Sequence, residues 1–388
     1  MKTAVVILNW NTKGYLEQFI PGILRSLEGE DAELVVADSA STDGSMEMMA
    51  ARFPEVRRIV LDRNYGFTGG YNRALARIDA EYLVLLNSDI EVPEGWLRPL
   101  VETLDNHPDV GACSPKLHSW FERDMFEYAG AAGGYLDSFG FPFCRGRIMK
   151  MVEKDQGQYD TEADVFWATG ACLMIRCSLF KSLGGLDDRF FAHMEEIDLC
   201  WRLQLAGYRI RIVPQSVVYH IGGGTLPQTS PWKLKLNYRN NLMLLENNLA
   251  RTYALDMLRK SCHAVPGGSD SIALRKIAGK ACRRAGRRLF CRMMVDGCAG
   301  LAYLLMLKLD LFMAVIKAHR EFRKLSRRPS RNDVAWYLED AMKSAEGIPE
   351  VRGMYRHWII PRTIFLKERA FSTVRRYFSG TQVMERQP

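Results

Sequence analysis

No stretch of about 18 uninterrupted apolar residues occurs in the 388-residue chain, so a simple membrane span is not expected. No CxxC pair occurs either, and the nine cysteines are an odd number. A disulfide framework or a structural zinc site is therefore poorly supported, and the cysteines read as small buried apolar residues. The chain contains neither GxGxxG nor GxxxxGK[ST], which removes support for a dinucleotide fold or a P-loop. It has no internal repeat, no low-complexity tract and no recognisable nucleic-acid motif. Met1 and Lys2 lead straight into Thr3–Leu8, and Asn9, Asn11 and Lys13 interrupt any leader-like apolar region. The expected compartment is the cytosol. What remains is an ordinary globular profile, 47% hydrophobic, 25% charged and 11% aromatic, long enough to bury a sizeable core.

The net charge of +8 hides a division. Residues 251–388 hold 28 Lys and Arg against 12 acids, or +16. Residues 1–250 hold 25 against 33, or −8. The acidic part suits metal and hydroxyl chemistry. The basic part calls for a polyanion, nucleic acid or an anionic membrane face.

The first 120 residues alternate between strand and helix patterns. Ala4–Leu8, Leu34–Ala37, Val56–Leu61 and Tyr82–Leu86 read as buried parallel strands. Residues 14–27, Ser45–Phe53 and Thr68–Ile78 read as helices. Such alternation predicts an open, mostly parallel sheet with helices on both faces, binding ligands beyond the carboxyl ends of its strands. Polar clusters fall at those ends: Asn9-Trp10-Asn11, Asp38-Ser39, Arg63-Asn64 and Asn87-Ser88-Asp89. Residues 121–165 are aperiodic and read as long loops or irregular strands. Ala171–Ile175, Tyr208–Val213 and Ser216–Tyr219 are further strands, with Glu195–Ala206 and Lys233–Asn248 as helices. Gly222-Gly223-Gly224 marks a break, and Pro266–Ser269 a linker near an expected domain boundary at 250–270. Beyond it, residues 275–292 hold eight Lys and Arg and no acid, followed by a mostly apolar stretch, 293–316. That stretch reads either as a helix lying in a membrane interface, with the basic run on anionic headgroups, or as a buried helix beside a solvated one.

Five constellations carry chemistry. Asn87-Ser88-Asp89 can place a carboxylate on a hard divalent cation or cap a turn. Asp38 can accept a hydrogen bond from a ribose or a base N–H, whereas Asp43 and Ser45 read as helix caps. Arg63–Asn72 is a Gly-rich run into a helix start, suited to close backbone approach and to anions, or simply a tight connection. In Glu195-Glu196-Ile197-Asp198, adjacent carboxylates raise one another's proton affinity, which suits a general base. The same acids also complement a helix dipole, with Asp198 and Arg202 paired at i,i+4. His220, where an apolar strand meets the glycines, is a candidate metal ligand or a core histidine.

The order of the segments is more specific than any one of them. VVILNWN, VADSASTDGS, RNYGFTGGYN, LLNSDIEV, TGACLMIR, EEIDLCWRLQLAGYRI and VVYHIGGGT together resemble the family 2 glycosyltransferases of bacteria, most closely the rhamnosyltransferase branch, over about residues 3–248. The resemblance implies a GT-A fold, Rossmann-like α/β, over 1–250, and the charge pattern separately gives a basic helical region over 251–388. It implies inverting transfer of a sugar from a nucleotide-diphosphate sugar, dTDP-rhamnose-like or a UDP-sugar, to a lipid-linked cell-surface glycan. Asn9, Asn11 and Asp38 would hold the nucleoside. Arg63, Asn64 and Asn72 would flank the nucleotide and diphosphate, with Asn87 and Ser88 beside them. Asn87 departs from the acidic first position of the D-x-D motif, which leaves Asp89 as the carboxylate ligand of Mn²⁺ or Mg²⁺, completed by His220. Glu196 would be the catalytic base, where Asp is more common, with Glu195 as the other candidate. Trp167 and Gly170 would meet the acceptor.

The expected partners are thus a sugar-nucleotide donor, a lipid-linked or glycan acceptor and the anionic inner face of the cell membrane, with no nucleic acid. The chain would be cytoplasmic and peripheral on that face, and its basic tail could also be a homo-oligomer interface. Two other readings compete. A sugar-1-phosphate nucleotidyltransferase usually needs a basic Gly-rich loop after the first strand, and Asn9-Trp10-Asn11-Thr12 is not one. A polyanion-binding protein would need a nucleic-acid motif.

Overall fold

A computed structural model describes residues 1–222, 230–262, 271–344, 347–367 and 369–375. The first part runs β1 (Thr3–Asn9), α1 (Lys13–Ser26), β2 (Ala32–Asp38), α2 (Ser45–Arg52), β3 (Arg57–Val60), α3 (Gly66–Leu75), β4 (Tyr82–Leu86), β5 (Ile90–Glu91), α4 (Arg98–Asn106) and β6 (Val110–Ser119). Short strands β7 (Gly134–Asp137), β8 (Pro142–Cys144), β9 (Arg147–Ile148), β10 (Met151–Val152) and β11 (Ala163–Val165) follow. Then come β12 (Cys172–Arg176), α5 (Cys177–Ser182), α6 (Glu195–Leu205) and β13 (Arg209–His220). The remainder is α7 (Pro231–Cys262), α8 (Ser271–Leu305), α9 (Leu309–Leu325), α10 (Arg331–Lys343), β14 (Met354–Tyr355), α11 (Ile359–Phe365) and α12 (Phe371–Arg375).

Among the described residues a nine-stranded sheet has the order β11-β13-β6-β12-β4-β1-β2-β3, with β5 also on β13. Its strands are apolar on both faces because both are covered. Ala4 and Val6 of β1 enter one core with α3 and α6, and Val5 and Ile7 enter the other with α1 and α4. Each fully buried Val or Ile side chain among these contributes roughly 1.5–3 kcal/mol. The strands β4-β1-β2-β3 are parallel, as the alternation predicts. β12 is antiparallel to both neighbours, β4 and β6. The chain re-enters the sheet from the tip of β4, Cys172 opposite Leu86, instead of crossing over through a helix.

The aperiodic segment 121–165 folds mainly into a small second sheet, β10-β9-β8-β7-β14. Its last strand comes from the C-terminal part, parallel to β7. The boundary expected at 250 falls inside α7, which runs unbroken through Cys262. Leu242, Leu245 and Leu249 of that helix share a core with Ile197, Leu199 and Trp201 of α6. The helical part is thus packed onto the sheet domain. Gly223, Gly224 and the linker Pro266–Ser269 lie outside the described residues.

The stretch 293–316 is not one interfacial helix. α8 stops at Leu305, Leu307 takes a left-handed φ of 58°, and α9 starts at Leu309. Asp296, one of the charges that interrupt the apolar run, is buried between Arg292 Nε at 2.8 Å and His319 Nε2 at 3.3 Å. Among the described residues no helix is long and apolar enough to cross a membrane. The described cysteines are free thiols, most of them buried.

Candidate active site

The tips of β1, β2 and β4 lie side by side, because β1 pairs with both neighbours in parallel register. Asn9 and Asp38 are register partners at those tips, and Asn9 Nδ2 donates to Asp38 Oδ1 at 2.7 Å. Asp38 Oδ2 accepts Ser41 N at 2.9 Å. Asn11 has a φ of 54°, and its side chain accepts Thr42 N at 2.8 Å. Asp43 accepts Lys13 N and Ser45 N at the starts of α1 and α2, although the N-cap position of α2 is Gly44 and not Asp43 or Ser45. These acids and amides brace two loops, leaving Trp10 exposed between them.

The Gly-rich run opens α3. Gly66, at a φ of 73°, carries Phe191 directly against it, where a Cβ would lie 2.5 Å from the ring. Gly70 lets the helix approach Leu8 of β1, where a Cβ would lie 2.7 Å away. Asn64 accepts Gly66 N at 2.7 Å, and the exposed Arg63 lies over the Tyr65 ring at 4.7 Å. Asn72 commits its amide to the segment before α6. Its Nδ2 donates to Leu186 O and Asp188 Oδ1, and its Oδ1 accepts Leu186 N.

Beyond β4 the chain turns through Asn87, Ser88 and Asp89 into β5, which pairs with the end of β13 so that Ile90 faces His220. That pairing brings Asp89 to His220, Oδ1 to Nε2 at 3.2 Å, with both side chains buried. Asn87 Nδ2 is 3.5 Å from the same nitrogen, and Ser88 is half-buried on the turn. On the other edge of the imidazole, Nδ1 lies 3.3 Å from Glu127 Oε2, off the line of a hydrogen bond. Burial acts to lower the His220 pKa, and the two carboxylates overcome it, pushing it up to about 10. Burial likewise acts to raise Asp89, and His220 more than offsets this, holding Asp89 below its usual value.

Asp89 and Glu127 flank opposite edges of the ring, so among the described residues no three metal-type side chains converge. The protein offers one carboxylate and one imidazole toward a cation. That set fits Mn²⁺ or Mg²⁺ if phosphate and water oxygens complete the shell. A buried imidazole clasped between acids, with its Nδ1 unsatisfied, is consistent with such a site. Glu127 carried no sequence signal, since it lies in an aperiodic stretch.

The acids Glu195 and Glu196 open α6. Before them Phe191, His193 and Met194 all have left-handed φ, at 64°, 70° and 73°. Such residues cost about 1–3 kcal/mol each and cluster at functional sites. Glu195 is buried, Glu196 half-buried, and one carboxylate oxygen of each, Oε2, is buried without a hydrogen-bond partner. Burial, and then the charge of Glu196, holds Glu195 well above the usual carboxylate range. Burial also raises Glu196. Asp198 plays the other role foreseen for this segment. It pairs with Arg202 at 2.7 Å and accepts Asn247 and Asn248 of α7 at 3.0 and 2.8 Å.

Gly170 sits beside Glu196, and a Cβ there would lie 3.4 Å from Glu196 Cβ and 3.6 Å from Phe67. Its neighbour Ala171 accepts Asn87 N at 2.9 Å. The segment 170–171 thus joins the Asp89 turn to the acid pair. Trp167 does not face an acceptor. Its indole is 3% exposed, donates to Tyr135 O at 3.0 Å and packs on Gly134, so it is core. Tyr135 and Phe143 of the small sheet are buried with it in the same core.

Residues 4–184 match the family model Glycosyl transferase family 2. The chain is 28% identical over 234 residues to the N-acetylglucosaminyl-diphospho-decaprenol L-rhamnosyltransferase of Mycobacterium tuberculosis, covering 56% of this chain and 75% of that one. It is 24% identical over 234 residues to rhamnosyltransferase WbbL of Escherichia coli K12, covering 58% and 88%. In fold it is similar to the crystal structure of GalNAc-T7 with UDP, GalNAc and Mn²⁺, at a TM-score of 0.50 and 18% identity, covering 72% of this chain and 54% of that one. With its GT-A sheet, residues 4–184 form a family 2 glycosyltransferase domain, and the relatives it resembles include rhamnosyltransferases.

Proposed function

We propose that this glycosyltransferase is metal-dependent and inverting, and moves a sugar from dTDP-rhamnose or a UDP-sugar to a hydroxyl of a growing lipid-linked glycan of the cell surface. Asn9, Asn11 and Asp38 flank the nucleoside, with Arg63, Asn64, Asn87 and Ser88 toward the diphosphate. Asn72 acts on that side through the segment it anchors. Asp89 and His220 hold Mn²⁺ or Mg²⁺, which when bound offsets the charge gathering on the departing diphosphate. Glu196 takes the proton of the acceptor hydroxyl as its oxygen bonds to the anomeric carbon and the bond to the diphosphate oxygen breaks. A carboxylate with a raised pKa suits that task. Glu195 is the other candidate. Gly170, bare beside Glu196, leaves room for the acceptor.

The observation that supports this most is the pair of buried, unpartnered carboxylate oxygens at the start of α6. They lie across residues 170–171 from the Asp89 turn. Similarity to two rhamnosyltransferases, one of them named for an N-acetylglucosaminyl-diphospho-decaprenol, favours rhamnose and a diphospho-lipid acceptor. A thermal-shift screen across sugar nucleotides, with and without Mn²⁺, tests the reading. A cognate donor that binds only the folded state raises the melting temperature. No donor raising it under either condition would count against the proposal.

Docking on the anionic inner membrane face is proposed through α8. Its exposed residues run from Lys276, Lys280 and Arg283 to Phe290, Leu301 and Leu305, and none is acidic. The apolar end continues into the α8–α9 turn, where Leu307 is 85% exposed. Basic residues against headgroups and apolar ones at the acyl boundary are the pattern of an interfacial surface.

A further inference from the structure

We propose that Arg239 and Asn240 of α7 are positioning residues that hold the turn presenting Glu195 and Glu196, and that Glu321 of α9 fixes them in place. The inference rests on the assignment of Glu196 as the base. A turn with three left-handed non-glycine residues, Phe191, His193 and Met194, persists only where its surroundings over-determine it. Two clamps do so here. On one side Thr68 N donates to Phe191 O at 3.2 Å, with the ring seated on Gly66.

On the other side lies Asn240, fully buried. Its Nδ2 is 3.0, 2.7 and 2.7 Å from the carbonyl oxygens of Phe190, Ala192 and His193. Two amide hydrogens are shared over three acceptors. Arg239 Nε donates to Asn240 Oδ1 at 2.9 Å, which orients the amide with its N–H groups toward the turn. Arg239 Nη2 adds a bond to Phe190 O at 2.6 Å. The guanidinium is in turn held by Glu321, Nη1 to Oε2 at 3.1 Å, and Lys235 Nζ meets Glu321 Oε1 at 2.7 Å.

The body of α6 is anchored separately, through Asp198 to Asn247 and Asn248. Loss of the Asn240 clamp therefore releases the turn without releasing the helix. The Asp89 turn is held by β4, β5 and β13, and the hydrogen bonds of Arg239 and Asn240 described above go to the turn before α6 and to Glu321, not to it. The helical C-terminal part thus bears on the turn that leads into the acids.

Steady-state kinetics on the full chain test this. Asn240→Ala should lower kcat roughly 10- to 100-fold, the scale of a misplaced catalytic group. Donor KM and the Mn²⁺-dependent thermal shift by donor should stay near wild type. Arg239→Lys, which loses the bond that orients the amide, should fall between the two. Glu321→Ala should slow turnover, and Glu321→Gln, which keeps an acceptor for Arg239, should restore most of it. An Asn240→Ala kcat within about twofold of wild type would overturn the inference. So would a parallel fall in kcat, donor affinity and melting temperature, the mark of general loosening. If Asn240→Ala does not fold, the Arg239 and Glu321 variants decide on the same criteria. Glu196→Gln separates the layers. If that variant still transfers sugar, the base assignment fails; if it is inactive while Asn240→Ala turns over normally, only the positioning inference fails.

Discussion

Replacing Glu196 with Gln should make the protein more stable at alkaline pH and no more stable at acid pH. Burial raises the Glu196 carboxyl from an ordinary 4.5 to about 7. The folded state therefore holds this proton more tightly than the unfolded chain does. Between those two values the fold binds more protons, so stability falls as pH rises through the window and levels off above it. The displacement corresponds to a cost of roughly 3 kcal/mol at pH 8. Glu195 is also held above the usual carboxylate range, by burial and then by the charge of Glu196. Gln has nearly the same shape and no charge to bury, so it removes the cost. Urea unfolding of both proteins at pH 8 and pH 4, without donor, reads the difference as a shift in midpoint. A gain of about 3 kcal/mol at pH 8 that vanishes at pH 4 is expected. An equal gap at both values, or a less stable Gln variant at pH 8, would refute the claim that this acid is kept at a cost to the fold.

Other outcomes follow from the same geometry. Turnover should fall as pH drops through about 7, because protonated Glu196 cannot accept a proton, and a kcat–pH profile with its acid limb near 4 would contradict this. Asp89→Ala should abolish the Mn²⁺-stimulated thermal shift on donor addition; an unchanged shift would exclude Asp89 as a ligand. Trp167→Ala should destabilise by about 3–5 kcal/mol as a core truncation. Trp167→Phe should leave acceptor KM unchanged, and a large rise in that KM would return the residue to the acceptor site. Gly134→Ala should not yield folded protein, because its Cβ would lie 2.0 Å from the Trp167 ring.

Much of the frame was legible in the sequence. β4 spans Tyr82–Leu86 as its apolar run predicts, and α6 opens at Glu195 and closes before Gly207. Those elements are set by local pattern and local stop signals. The Asp89–His220 contact depends on the Ile90–His220 register, a pairing between residues far apart in sequence. Glu127 joins that site from a segment whose strands are two to four residues long, too short to leave a period. Trp167, expected at the acceptor, is core, and a tryptophan reads the same in sequence whether it lines a groove or fills a core. The break after α8 has neither Gly nor Pro to announce it. The polar pairs Asn240-Asn241 and Asn247-Asn248, seven residues apart within a helix that is mostly buried, were visible as residues; their role needed the turn they hold.

Transfer by Glu196→Gln tests the central claim most directly, measured as sugar incorporated into acceptor alongside Mn²⁺-dependent donor binding by the same preparation. The account predicts donor binding near wild type with transfer lost. Transfer at the wild-type rate would contradict it.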